Sequence, residues 1–177
     1  MLRVKAGDLD KMGLLFERHH RSLYGFLYHM TYKREASEDM AQLVFYKMLK
    51  HRHTYMGSGE FTHWMYSIAR NLLKDERRKD ISKPKQENVE GFEERISGGA
   101  DPEEQFAKKE AKAKLYKALD KLSDDYREVL TLSRFQELKN KEIADILNIT
   151  EGAVKVRIHR AMQELKNVYV KQEHLNR

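Results

Sequence analysis

NITEGAVKVRIHRAMQEL, residues 148–165, is where the reading of this chain begins. Asn148-Ile149 makes a tight connection, and Thr150 is a suitable N-cap for a following helix. At about 100° per residue, Val154, Ile158, Ala161, Met162 and Leu165 fall on one side of that helix, which is its core side. Gly152, Lys155, Val156, His159, Arg160 and Gln163 fall on the other. An ordinary solvated face would carry Glu, Lys, Gln or Ala. Gly inside a helix costs about 1 kcal/mol against Ala, so Gly152 needs a reason.

Just upstream, Ile143, Ala144, Ile146 and Leu147 form the apolar side of a short amphipathic helix. Two helices, a short turn and a basic second helix make a helix-turn-helix pattern. Such a face suits a DNA major groove. Small residues let the backbone approach base edges, Val156 can touch a thymine methyl, and Lys155 and Arg160 can reach guanine or phosphate. The helix start, at Thr150, itself favours phosphate. A plainer reading is a helical hairpin with a solvated basic face. The coincidence of hinge, cap, core spacing and basic face argues against it.

Outward from this stretch, apolar spacing is helical nearly throughout, and no run alternates as a half-buried strand would. The expectation is an all-α protein of two small helical domains joined by a flexible acidic linker. Domain one covers 1–80, the linker 81–105 and domain two 106–177. Asp8 is the expected cap of the first helix, which starts at Leu9. Further helices are expected at about 36–50 and 61–79, separated by the two-glycine loop HTYMGSGE, residues 53–60. Both prolines, Pro84 and Pro102, fall in or beside the linker, and residues 86–110 hold eight acidic and three basic residues. Asp101-Pro102-Glu103-Glu104 reads as a helix start with Pro at its first position.

The chain is polar, 40% hydrophobic against 35% charged, so two thin cores fit better than one large one. A net charge of +6 favours a polyanionic partner without naming it. The absence of cysteine excludes disulfides and thiolate chemistry. No stretch approaches a membrane span, so the expectation is a cytoplasmic protein with no membrane insertion. His19-His20 and His51-x-His53 lack the helical pairing of a zinc hydrolase, and no phosphate loop or nucleophile elbow occurs. No catalytic residue, metal or cofactor is expected, and the chain reads as a non-enzyme.

In SEDMAQLVFYKMLKH, residues 37–51, Ala41, Val44, Phe45 and Met48 share one face, while Asp39, Gln42, Leu43 and Tyr46 lie opposite. Leu beside Tyr on an outward face hints at a protein interface. In FTHWMYSIARNLLKDERRK, residues 61–79, Phe61, Trp64, Met65, Ile68 and Leu72 point inward, and His63, Arg70, Lys74, Arg77 and Arg78 outward. Basic groups beside Tyr55 in a glycine-containing loop suit single-stranded DNA.

These residues carry a resemblance. Leu122 to Leu165, with its Glu-Ile-Ala, Gly-Ala-Val-Lys and Arg-Ile-His-Arg-Ala runs, closely resembles region 4 of bacterial sigma factors of the extracytoplasmic-function class. SEDMAQLVF and FTHWMYSIARNLLKDERRK resemble region 2 of the same factors. The resemblance implies that Thr150, Gly152, Lys155, Val156, Arg157, His159 and Arg160 read the −35 promoter element. It implies that Tyr55, His63, Arg70, Asn71, Lys74, Arg77 and Arg78 hold the −10 element. It puts Asp39, Gln42, Leu43 and Tyr46 on the β′ clamp of core RNA polymerase. The implied partners are core polymerase, promoter DNA in duplex and single-stranded form, and an anti-sigma factor. Two departures stand out: Leu43 replaces a usual acidic residue, and Lys139 a usual Ser or Thr cap, which Asn140 could replace. The alternatives are a helix-turn-helix regulator acting without polymerase and a basic helical adaptor.

Overall fold

The computed structural model describes residues 1–57, 60–80 and 102–175. The expected linker, apart from its last few residues, lies outside the described residues. Within them every regular element is helical: α1 (Leu2–Lys5), α2 (Lys11–Thr31), α3 (Arg34–Lys50), α4 (Phe61–Asp80), α5 (Pro102–Asp120), α6 (Asp124–Leu130), α7 (Asn140–Leu147) and α8 (Glu151–Leu175). A 3-10 turn covers Arg52–Thr54, and a π-turn, Thr131–Phe135, continues α6.

Helix α5 starts at Pro102, where a missing N–H costs nothing. The first long helix starts two residues later than expected. Asp8 does not cap it but pairs with Arg3 at 3.4 Å, because α1, which carries too few residues to show a period, folds back there. Tyr32, in left-handed conformation at φ 55°, closes α2 and turns the chain into α3. The corner is tied by Thr31 Oγ1 and Ser37 Oγ, 2.8 Å apart, with Ser37 donating to the Lys33 carbonyl.

The expected pair of separate cores is not what the packing gives. Leu23, Phe26 and Leu27 of α2, Val44 and Met48 of α3, and Met65 and Ala69 of α4 form the N-terminal part of a buried cluster. That cluster continues without a break into Val129, Leu130 and Leu132, then Ile143, Ile146, Val154 and Ala161. Helix α4 packs on α7, and α2 packs on α6 and the π-turn. For this reason Tyr66 and Leu73 are buried along with Met65 and Leu72 of the expected inward stripe, while Phe61, Trp64 and Ile68 are partly buried against the cluster.

Arg127 of α6 sits buried at this seam. Its guanidinium donates to the carbonyls of Leu119 (3.2 Å), Leu122 (3.3 Å) and Asp120 at the end of α5, and to Met30 (3.4 Å) in α2. It lies over the Tyr32 ring at 5.5 Å, and burial pushes the Tyr32 phenol pKa well up. One planar cation thus satisfies helix-end carbonyls that would otherwise be orphaned. Arg127→Met keeps much of the volume and removes every donor. It is expected to cost about 3 kcal/mol, the scale of unsatisfied buried polar groups. In a thermal melt this is a fall of roughly 10 °C; an unchanged midpoint contradicts the role.

Candidate nucleic-acid interface

The turn between α7 and α8 is built locally. Asn148 takes the left-handed conformation at φ 55°, which Asn tolerates better than most residues, and ends α7. Thr150 Oγ1 accepts from the Ala153 N–H at 3.1 Å and starts α8. At the other end of α7, Lys139 occupies the cap position and Asn140 is already helical, so Asn140 does not cap. A lysine side chain cannot accept the N3 hydrogen bond. Only the Glu142 half of a capping box operates, with the Lys139 N–H donating to Glu142 Oε2 at 2.7 Å.

On α8, Val154 and Ala161 are fully buried, with Ile158 and Leu165 packed against the core. Gly152, Lys155, Val156, His159, Arg160 and Gln163 are exposed, as the wheel places them, and Val156 is 50% exposed. A Cβ added to Gly152 would meet only Thr150 Oγ1, at 4.0 Å. Nothing inside the protein therefore requires a glycine there.

Two α8 residues depart from expectation. Met162, expected in the core, is 41% exposed, although Ala161 before it is fully buried and Leu165 after it packs on the core. Arg157 turns toward α6, with its Nη1 3.8 Å from Asp125 Oδ2, rather than joining the outward set. Lys155 pairs with Glu151 at 3.1 Å in an exposed i,i+4 bridge, a weak contact that a stronger anion can displace. Sequence reasoning missed Arg134 and Asn140. They line a shallow depression with Ser133, Lys155, Ile158, His159 and Met162, and so widen the polar rim of the α8 face. The π-turn carrying Arg134 has no sequence signature that spacing could reveal.

In the N-terminal half, Asp39, Gln42, Leu43 and Tyr46 all lie on the exposed side of α3, with Tyr46 60% exposed. Leu43 also lines a groove with Met40, Lys47, Leu72, Asp75, Glu76 and Arg78. The expected −10 residues divide into three groups. Asn71, Lys74 and Arg78 are exposed, and His63 is half-buried. Arg70 and Arg77 do not point to solvent: they face the C-terminal half. Arg70 Nε and Nη2 donate to Glu128 at 2.7 and 3.2 Å, and Nη1 donates to the Ile146 carbonyl at 2.7 Å. Arg77 pairs with Asp124, and burial lowers its pKa, with Arg127 adding to the effect. Tyr55 is buried, 5.2 Å from Trp64 between ring centroids, and is not a free stacking platform.

Residues 15–81 match the family described as Sigma-70 region 2, and residues 112–165 match Sigma-70, region 4. The chain belongs to the sigma-70 family. Within it, this sigma factor is 30% identical over 171 residues to the ECF RNA polymerase sigma factor SigW of Bacillus subtilis, covering 93% of this chain and 91% of that one. It is 28% identical to the RNA polymerase sigma-H factor of Pseudomonas aeruginosa, covering 92% and 88%. Two solved structures share the fold. One is the sigma factor RpoE in complex with the anti-sigma factor NepR from Bartonella quintana, with a TM-score of 0.70 at 22% identity, covering 88% of this chain and 94% of that. The other is CnrH in complex with the cytosolic domain of CnrY, with a TM-score of 0.71 at 21% identity, covering 94% and 92%. Among the described residues no helix is long and apolar enough to cross a membrane.

Gly152→Ala tests whether this position matters to folding or to duplex binding. The added methyl meets open space within the protein and improves helix propensity, so thermal stability is expected to stay level or rise by a few tenths of a kcal/mol. Binding to −35 duplex should nevertheless weaken, by about tenfold if the methyl displaces a backbone approach worth about 1.4 kcal/mol. Undiminished duplex binding in a mobility-shift titration would remove the clearance role of Gly152.

Proposed function

We propose that this sigma factor docks on core RNA polymerase through α3 and presents two separate DNA-reading faces to a promoter. The outward set of α8, Thr150, Gly152, Lys155, Val156, His159 and Arg160, reads the −35 duplex. The basic face of α4, with His63, Arg70, Asn71, Lys74, Arg77 and Arg78, holds the −10 non-template strand. Asp39, Gln42, Leu43 and Tyr46 meet the polymerase clamp. Arg157, turned toward Asp125, supports α8 from within this half instead of reading bases. The chain makes and breaks no bond. It works in the cytoplasm by binding alone, with each weak contact strengthened by linkage to the other.

The observation that carries this reading is the pairing, in one chain and in order, of a region 2 and a region 4 match. A helix-turn-helix regulator working without polymerase would account for the second match only. The two fold relatives named above were solved with an anti-sigma factor or a cytosolic partner domain bound, which supports a protein inhibitor for this chain too.

The packing adds a requirement. The −35 and −10 elements lie roughly 25 base pairs apart by their names, about 85 Å of duplex at 3.4 Å per base pair. A compact chain of 177 residues has a radius of gyration of about 16 Å, hence a diameter of roughly 40 Å. The closed body cannot reach both elements. Promoter engagement therefore separates α4 from α6 and α7 and frees Arg70 and Arg77 for phosphates.

Transcription in vitro with purified core polymerase and a genomic promoter library tests the function; absence of promoter-specific initiation removes it. Arg160→Ala should lower −35-dependent initiation by about tenfold or more, as for a lost base contact of 1–3 kcal/mol. Polymerase binding by that variant should be unchanged, and its loss would contradict the division of labour. Glu128→Gln removes the carboxylate from Arg70 and should raise the radius of gyration in solution scattering. A few-fold tighter binding of single-stranded −10 DNA should accompany it, as for a competing ion pair taken away. Unaltered scattering and binding would mean that the seam does not restrain that face.

A further inference from the structure

Position 43 is where this chain departs from the family pattern, with Leu in place of a usual acidic residue. An acidic residue on the outer side of α3 needs only water around it. A leucine left 40% exposed keeps apolar surface in water, and burial against a partner would recover that cost. Single exposed apolar residues are common and by themselves point to nothing. Leu43 differs in its setting. Met40, Leu43 and Lys47 are spaced i, i+3 and i+7, so they form one stripe along α3. That stripe borders α4, which packs beside it.

Between the two helices runs the groove whose α4 wall is Leu72, Asp75, Glu76 and Arg78. Met40 and Leu72 are each only 7% exposed and belong to the buried cluster, so the groove has an apolar floor backed by the core. Leu43 is its exposed apolar lip. The charged lining is Asp75 and Glu76 with Lys47 and Arg78, two of each sign. A balanced set of charges draws in neither an anion nor a cation, so the group this groove selects is an apolar one. An acidic residue at position 43 would break that balance by adding a third carboxylate.

We infer that the α3–α4 groove seats one apolar side chain of the polymerase clamp, with Leu43 as its specificity-determining residue. This rests on the reading of α3 as the face that docks on polymerase. The groove is continuous with that face, because Leu43 belongs to both: it lies one turn from Asp39 and three residues from Tyr46, and both are exposed. The interface thereby extends onto the last turns of α4 and takes in Leu72 and Asp75, which the outward set of α3 does not include. Its chemistry is not that of an ion pair. Attraction between exposed charges is screened as salt rises, whereas apolar burial is not. The clamp that fits carries an aliphatic or aromatic side chain opposite position 43, where an acidic residue would call for a cation.

The test measures binding of the full chain to its own core polymerase at low and at high salt. Leu43→Ala should weaken binding about fivefold at both, as for an aliphatic side chain that loses part of its burial. Leu43→Met, of similar volume, should bind within about twofold of the unaltered chain. Leu43→Glu restores the acidic residue usual in the family and should weaken binding by about tenfold or more, since it sets a carboxylate against an apolar group. Asp39→Asn, on the same face, should instead lose most at low salt. A Leu43→Glu chain that binds as tightly as the unaltered one, or more tightly, has a cation opposite and overturns the apolar seat. The chain has no cysteine, so Lys47→Cys carries a single photo-crosslinker at the groove with Leu43 intact. In the holoenzyme it should capture the β′ clamp; capture of another subunit, of a second copy of this chain or of nothing overturns the seat. If Asp39→Asn and Tyr46→Ala leave polymerase binding untouched, the docking face on α3 falls and the groove with it. If they weaken it while Leu43→Ala and Leu43→Glu do not, the groove alone falls.

Discussion

The arrangement of this sigma factor depends on one largely buried ion pair, Arg70 with Glu128. Arg70 comes from α4 and Glu128 from α6, and their side chains are only 19% and 11% exposed. Two charged hydrogen bonds and a third to the Ile146 carbonyl satisfy three of the five guanidinium donors. Desolvating such a pair offsets much of its attraction, so its net contribution is small. Removing one partner is another matter and costs about 3–5 kcal/mol, because a charge is left buried alone. The pair acts less as glue than as a register pin: the halves meet correctly or not at all.

Around that pin the seam is finished by groups of mixed character. Arg127 caps the end of α5 and reaches Met30, while the His29 ring stacks on Phe135 at 3.8 Å. The amide of Gln136 lies 2.7 Å from Ser22 Oγ and 3.2 Å from the Tyr66 hydroxyl. Polar networks of this kind are specific when complete and costly when half-made. They are also chemically similar to the contacts nucleic acid would offer. Asp124 and Glu128 supply the carboxylates of this seam, beside the apolar cluster that runs through both halves. The outward faces of α8 and α3 are not involved and remain open in the closed state.

Much of this was readable because helices announce themselves locally. The period of residues 148–165 placed Val154 and Ala161 inward and Lys155, Val156, His159 and Arg160 outward, and the structure has them so. The same period oriented α3, leaving Leu43 and Tyr46 exposed. Where the reading failed, a distant element had intervened. Arg70 and Arg77 lie on the polar side of α4 by spacing, but a wheel cannot know that a carboxylate fifty-eight residues away will cover that side. Tyr55 looked like a loop aromatic and is a packed one, since Trp64 and α1 close over it. Met162 shares the wheel angle of buried residues yet is exposed, between Ala161 and Leu165, which do pack.

By itself, the sequence determined the long helices, their faces and the Thr150 cap, together with the order of two regions that marks the family. These follow from interactions within four residues, or from runs long enough to be compared. Only the tertiary structure decided that the two halves share one core, that α4 is covered on a second side, and that a four-residue helix pins the turn before it. Each of those outcomes is set by a contact between residues far apart in the chain, whose partner no local period can specify.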